Sequence, residues 1–121
     1  AGETVKAMAK AFGTKTEDLR AGIGPSAGPC HYEVDEPVIQ RFVENFGQMV
    51  LEKEKILKPS PNQGRAMLDL WQANLYLLLQ HGLKIERISV SGFCTMCHSD
   101  KFFSHRCRAK GRQAAILRIN N

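Results

Sequence analysis

Leu68-Asp69-Leu70-Trp71-Gln72-Ala73-Asn74-Leu75-Tyr76-Leu77-Leu78-Leu79-Gln80-His81-Gly82, followed closely by Ile85-Glu86-Arg87-Ile88-Ser89-Val90-Ser91, sets two periodicities side by side. In the first run Leu68, Trp71, Leu75, Leu78 and Leu79 fall on one face of a helix, with Asp69 near its start and Gly82 as its stop. In the second, Ile88 and Val90 alternate with polar neighbours, which predicts a strand over 85–91. A helix feeding a strand is a building unit of mixed helix-and-sheet layers.

Upstream, Val5, Met8, Ala9 and Phe12 recur at helical spacing and Gly13 follows, predicting a helix over 3–12. Leu19 to Ile23 reads as a short buried strand feeding a Gly/Pro-rich loop. Asp35 has the character of a helix N-cap with Glu36 and Pro37 in the first turn. Val38, Ile39, Phe42, Val43 and Phe46 then form an apolar stripe closed by Gly47. Residues 48–64 are ambiguous, apart from a surface loop at Pro59-Ser60-Pro61-Asn62. Downstream, Ala114 to Ile119 reads as a closing strand. The expected class is α+β, mixed sheets with packed helices, with residues 1–121 forming a single unit.

The 121 residues, 43% of them hydrophobic, are enough to bury a core. No apolar run is long enough to span a bilayer and no secretion signal is visible, so no membrane is expected. The chain enters a helical pattern at once with no initiator methionine, which leads us to expect a fragment or processed product. The net charge is +5, and Lys101, Arg106, Arg108, Lys110, Arg112 and Arg118 crowd the last fifth. With only Phe102 and Phe103 nearby, the patch reads as facing a phosphate-bearing substrate or as solvated surface, and no nucleic-acid partner is expected. Four cysteines are too few for a disulfide scaffold in a chain this size; they read as reduced thiols in the cytoplasm.

The chemistry concentrates in two places. The loop Gly22-Ile23-Gly24-Pro25-Ser26-Ala27-Gly28-Pro29-Cys30 lacks the lysine and spacing of a phosphate-binding loop and is not a dinucleotide fingerprint. It either lets backbone approach a ligand or simply makes a bend. Cys30 and His31 are adjacent, so on extended backbone they point to opposite faces and do not form a reactive pair. Cys94-Thr95-Met96-Cys97-His98 matches the short haem-attachment pattern, but nothing else in the chain points to haem. A local zinc site drawn from Cys94, Cys97, His98, His105 or Cys107 is chemically reasonable, yet only one CxxC pair is present. A thioredoxin-like dithiol would need the pair to lead into a helix. Small buried packing residues are the remaining reading.

Five ordered motifs carry a resemblance: Gly24-Pro25-Ser26-Ala27-Gly28-Pro29-Cys30-His31-Tyr32-Glu33-Val34, Leu68-Asp69-Leu70-Trp71-Gln72-Ala73-Asn74, Ile88-Ser89-Val90-Ser91-Gly92-Phe93-Cys94-Thr95-Met96-Cys97, Phe102-Phe103-Ser104-His105-Arg106, and Gly111-Arg112-Gln113-Ala114-Ala115. Together they resemble the laccase-domain family, first described as multicopper polyphenol oxidases and now associated with purine nucleoside phosphorylase activity and, in some bacteria, peptidoglycan editing. The resemblance implies that this chain is the C-terminal half of a longer layered domain, starting after a His-Ala-Gly-Trp-type segment. It implies a catalytic metal, zinc with copper as the alternative, held by two histidines and one cysteine of the absent N-terminal half. The chain itself is then expected to hold no metal and to be inactive alone.

The implied reaction in the parent is phosphorolysis of inosine or adenosine, with adenosine deamination as a further activity. The partners are a purine nucleoside, phosphate and the missing N-terminal half. Rival readings are a peptidoglycan-editing hydrolase, a copper-dependent polyphenol oxidase, and a non-enzymatic zinc-stabilised binding module. Catalytic residues stay unassigned; from side-chain chemistry the substrate-binding candidates are Cys30, Tyr32, His105 and Arg106, the last two suited to phosphate. Two departures from the family pattern stand out: His31 replaces a frequent second cysteine, and Arg106-Cys107-Arg108 replaces an Arg-Arg-Asp run.

Overall fold

The structure, a computed structural model, describes residues 1–118. Its helices are α1 Gly2–Phe12, α2 Glu36–Phe46, α3 Gln48–Lys53 and α4 Leu70–Gln80. Its strands are β1 Ala21–Ile23, β2 Glu33–Asp35, β3 Leu57–Pro59, β4 Arg65–Leu68 and β5 Ile88–Val90. The strands form two sheets. β1 and β5 run parallel, with Ala21 opposite Ile88 and Ile23 opposite Val90. The other sheet is antiparallel in the order β2-β4-β3, with Glu33 opposite Met67 and Leu57 opposite Leu68. The α+β class is the one expected.

Helix α4 is the spine between two cores. Its Ala73 joins Val34, Leu51, Ile56 and Leu68, all buried, with Phe42, Phe46 and Tyr76 packed around them. Phe42 and Phe46 stack at 5.4 Å between centroids, as an i, i+4 pair on one helix face allows. Its Leu78 joins Val5 of α1 and Leu83, and these pack against Leu19 and against Ile23 and Ile88 of the parallel sheet. Asp69 caps α4, its Oδ1 accepting the Gln72 N–H at 3.0 Å, while Lys58 Nζ lies 3.6 Å from Oδ2. Asp69→Ala is expected to cost about 1 kcal/mol, seen as a lower urea midpoint at unchanged slope. Asp69→Asn, which keeps the acceptor, should recover most of it. An equal loss in both would shift the credit to the Lys58 ion pair.

Several expectations need correction. Leu68 is not on the helix face: it ends β4, and its N–H donates to the Tyr32 carbonyl at 2.9 Å. The Asp69 cap keeps the chain extended up to that point, so the spacing to Trp71 only imitates a helical period. The strand expected over 19–23 is confined to Ala21–Ile23, because Leu19 closes a 3-10 turn over Thr16–Asp18. Likewise Ile85–Arg87 is a 3-10 turn and only Ile88–Val90 is strand. The ambiguous segment holds α3 and β3.

Phe12, which shares the helical spacing of Val5, is 80% exposed, since α1 meets the sheet through Val5. Residues 111–118 form no strand, and Ile119 lies outside the described residues. In that segment Leu117 Cδ1 would lie 3.5 Å from a Cβ on Gly22 of β1.

Candidate functional site

Two loops leave the carboxyl ends of the parallel strands and run side by side. Ser91 N–H donates to Ile23 O (2.9 Å), Ser26 N–H to Phe93 O (3.3 Å) and Thr95 N–H to Ser26 O (3.0 Å). Gly28 then lies against Trp71. A Cβ there would sit 2.7 Å from Trp71 Cη2 and 3.1 Å from Cys94 Cβ, so only glycine lets the loop come this close. Gly28→Ala is expected to cost about 1–3 kcal/mol, with an accompanying shift in Trp71 fluorescence. An unchanged midpoint and spectrum would mean that the loop does not rest on Trp71.

Beyond Gly28 the chain turns. The N–H groups of His31 and Tyr32 both donate to Gly28 O, at 3.0 and 2.9 Å. The turn replaces the extended backbone assumed from sequence and brings Cys30 Sγ and His31 Nδ1 to 3.2 Å, correcting the view that they diverge. A second turn, closed by His98 N–H on Cys94 O at 3.1 Å, carries Cys94 and Cys97. Cys97 Sγ lies 3.6 Å from Cys30 Sγ and 3.4 Å from His31 Nδ1, and Cys94 Sγ lies 4.0 Å from that nitrogen. All four donor atoms fall within 4.8 Å of one another. Three thiols and an imidazole so placed could hold a metal ion.

The surroundings of these sulfurs differ. Burial raises the Cys94 thiol, but N–H groups of Gly28, Cys97 and Met96 and the Cys30 thiol outweigh it and hold the group at about 6. The Gly28 bond to Cys94 Sγ measures 3.2 Å. Cys30 is pushed up to about 12, by desolvation of its sulfur and by the Cys97 and Cys94 sulfurs. The surroundings thus drive the two thiols in opposite directions, Cys94 toward its thiolate and Cys30 toward its protonated form.

Next to it Tyr32 and Arg106 meet. The guanidinium carbon is 4.9 Å from the Tyr32 ring centroid, a cation–π stack, and Nη1 donates to Glu33 O at 3.0 Å. The Glu33 carboxylate turns the other way. It accepts from Ser60 Oγ (2.5 Å), Asn62 Nδ2 (2.7 Å) and Arg65 Nη1 (3.1 Å), and these contacts, Ser60 first, hold it below the usual carboxylate range.

Of the four substrate-binding candidates, Cys30 enters the cysteine–histidine group, and Tyr32 and Arg106 stack on one another. His105, exposed on the 3-10 turn His105–Cys107, belongs to neither arrangement. Of the zinc donors considered from sequence, Cys94 and Cys97 are in the group, while His98, His105 and Cys107 are not. The His98 ring instead meets Phe93 edge-on at 5.5 Å. His31 was missed as a partner. The signal for it was a Cys-His pair just after Gly28-Pro29, a turn-forming dipeptide, at the end of one strand, matched by CxxC at the end of another.

Across residues 1–120 the chain matches the profile of the family described as multi-copper polyphenol oxidoreductase laccase. It is 36% identical over 104 residues to a protein of Bacteroides thetaiotaomicron named purine nucleoside phosphorylase, covering 86% of this chain and 37% of that one. It is 35% identical to purine nucleoside phosphorylase YlmD of Geobacillus stearothermophilus, covering 83% of this chain and 35% of that protein. Human purine nucleoside phosphorylase LACC1 is 34% identical, over 84% of this chain and 23% of its own length. The crystal structure of Bacillus licheniformis hypothetical protein YfiH superposes with a TM-score of 0.75 at 33% identity, covering 87% of this chain and 38% of that one. The chain thus spans less than half the length of each of these relatives.

Proposed function

Since the chain belongs to the multi-copper polyphenol oxidoreductase laccase family, we propose that it is part of a purine nucleoside phosphorylase. The observation that carries this reading is similarity to relatives of that name over most of the chain. In the parent protein, phosphate attacks the ribosyl carbon of inosine or adenosine and the glycosidic bond to the purine breaks. The purine leaves with a proton and ribose 1-phosphate is formed. Adenosine deamination, in which water adds to the purine carbon and the exocyclic amino group leaves as ammonia, is proposed as a second activity of the same protein.

The zinc implied for catalysis does not fit this chain's own donors. A catalytic zinc keeps a position open for water or substrate, whereas Cys30, His31, Cys94 and Cys97 would fill all four. The catalytic ligands are therefore assigned to residues outside this chain. The copper-oxidase alternative is weaker. Multicopper chemistry calls for clustered histidines, whereas only His31 belongs to the donor group and the others are scattered.

What this chain contributes is a phosphate-facing edge. Arg106 commits one N–H to Glu33 O and lies flat on Tyr32, which fixes its planar fork at the surface beside exposed His105. A guanidinium held in this way is suited to two oxygens of phosphate. The proposed setting is the cytoplasm, where thiols such as those of Cys30 and Cys97 stay reduced. No helix among the described residues is long and apolar enough to cross a membrane.

The deciding assay uses the gene product including the sequence upstream of Ala1, incubated with inosine and phosphate with and without chelator. Chelator-sensitive release of hypoxanthine and ribose 1-phosphate is expected. A folded, zinc-loaded protein that releases neither would sink the phosphorylase reading. The 121-residue chain alone is expected to show no turnover.

A further inference from the structure

We propose that Cys30, His31, Cys94 and Cys97 bind a structural zinc ion that clasps the loop after β1 to the loop after β5. The proposal stands whether or not the parent is a phosphorylase.

Geometry is the first support. Zinc bonds of about 2.3 Å to sulfur and about 2.0 Å to nitrogen, at tetrahedral angles, separate neighbouring donor atoms by roughly 3.5–3.8 Å. The separations of 3.2, 3.4, 3.6 and 4.0 Å among these donors straddle that window. A Cys30–Cys97 disulfide is the competing use of the same atoms. It would bring two sulfurs to about 2.05 Å, but it leaves out Cys94 and His31, whose Nδ1 lies almost equally far from both sulfurs at 3.2 and 3.4 Å. Three soft thiols with one imidazole select zinc among common metals, and four protein ligands leave no open position, the mark of a structural site.

The surroundings are built for it. Gly28 donates its N–H to Cys94 Sγ at 3.2 Å, an outer-shell bond of the kind that orients metal ligands. Cys94 is buried, while Cys30, His31 and Cys97 lie at the surface where an ion can enter. The ligands come from segments 63 to 67 residues apart. A bound ion would therefore act as a cross-link over a long loop. It would also fix His31, and through it the neighbouring Tyr32 on which Arg106 rests.

The test titrates the reduced, metal-free 121-residue chain with zinc alone and with cobalt(II) as a spectroscopic probe. The expected result is one equivalent bound per chain, a thiolate-to-cobalt charge-transfer band with tetrahedral visible bands, and a raised melting temperature reversed by chelator. Cys97→Ser and Cys30→Ser should weaken zinc binding by at least about 100-fold. Cys107→Ser should change nothing. His31→Cys should keep the ion and strengthen the charge-transfer band by about a third, as three thiolates become four. That gain of signal distinguishes ligation from a variant that merely fails to fold. No stoichiometric uptake, uptake lost in Cys107→Ser, iron or copper bound in place of zinc, or a Cys30–Cys97 disulfide in the purified chain would each overturn the proposal.

Discussion

Arg106→Met in the parent protein is expected to lower kcat/KM for inosine phosphorolysis about 100-fold, with most of the loss in KM for phosphate. The expectation follows from the fork's proposed partner: hydrogen bonds to a charged oxygen contribute about 1.5–3 kcal/mol, and losing them exposes the anion to an uncharged thioether. Arg106→Lys should recover part of the loss, since it restores the charge without the planar pair of donors. The stack on Tyr32 gives a control. Tyr32→Phe keeps the ring under the guanidinium and should leave phosphate KM within a factor of about 3 of wild type. An Arg106→Met enzyme with unchanged phosphate KM would remove this residue from the binding edge.

Ile56→Ala is expected to be the most destabilising single truncation, at about 2–5 kcal/mol. Ile56 is completely buried among Val34, Leu51, Leu68 and Ala73, and it lies at the joint between α3 and β3. Its carbonyl accepts the Asp69 N–H at 2.8 Å and its own N–H donates to Leu51 O at 3.0 Å. Backbone held on both sides cannot move in to fill the space left by the side chain. Against a total stability of about 5–15 kcal/mol for a typical domain, that loss takes up much of the margin. Urea unfolding measures it, and Ile56→Val, at about 0.5–1.5 kcal/mol, calibrates the response. A loss under about 1 kcal/mol for the alanine variant would mean that this core repacks freely.

The long helices were legible from their apolar positions: Phe42 and Phe46 in α2 follow the 3.6-residue period on one face, while α4 carries enough apolar residues to serve both cores, Ala73 in one and Leu78 in the other. Of the three-residue strands, β1 and β5 were found but drawn too long, and β2 and β3 were missed, for three positions hold too little pattern to separate from a turn. β2 went unseen beneath the N-cap signal of Asp35, and Leu68 was absorbed into the helix that follows it. In the site, side-chain chemistry picked out Tyr32 and Arg106, which do meet. It missed the union of Cys30-His31 with Cys94 and Cys97. That union depends on a turn conformation after Gly28 and on the parallel pairing of distant strands, and neither is a local property of the sequence. The family resemblance is supported by the profile match over residues 1–120.

The pairing of β1 with β5 also has a kinetic consequence. The β3–β4 hairpin and α4 join near neighbours in the chain and can form early. Bringing Ala21 opposite Ile88, and Gly28 against Cys94 66 residues away, closes a long loop, whose entropy cost falls due before its contacts repay it. Truncations at Leu68 are therefore expected to slow refolding, whereas Ile88→Ala should mainly hasten unfolding, as chevron plots would show. Refolding slowed by Ile88→Ala in proportion to its equilibrium loss would reverse that order. On this sequence of events the four donor groups assemble last, so the rate at which the refolding chain takes up a cation would time the final step to the native state.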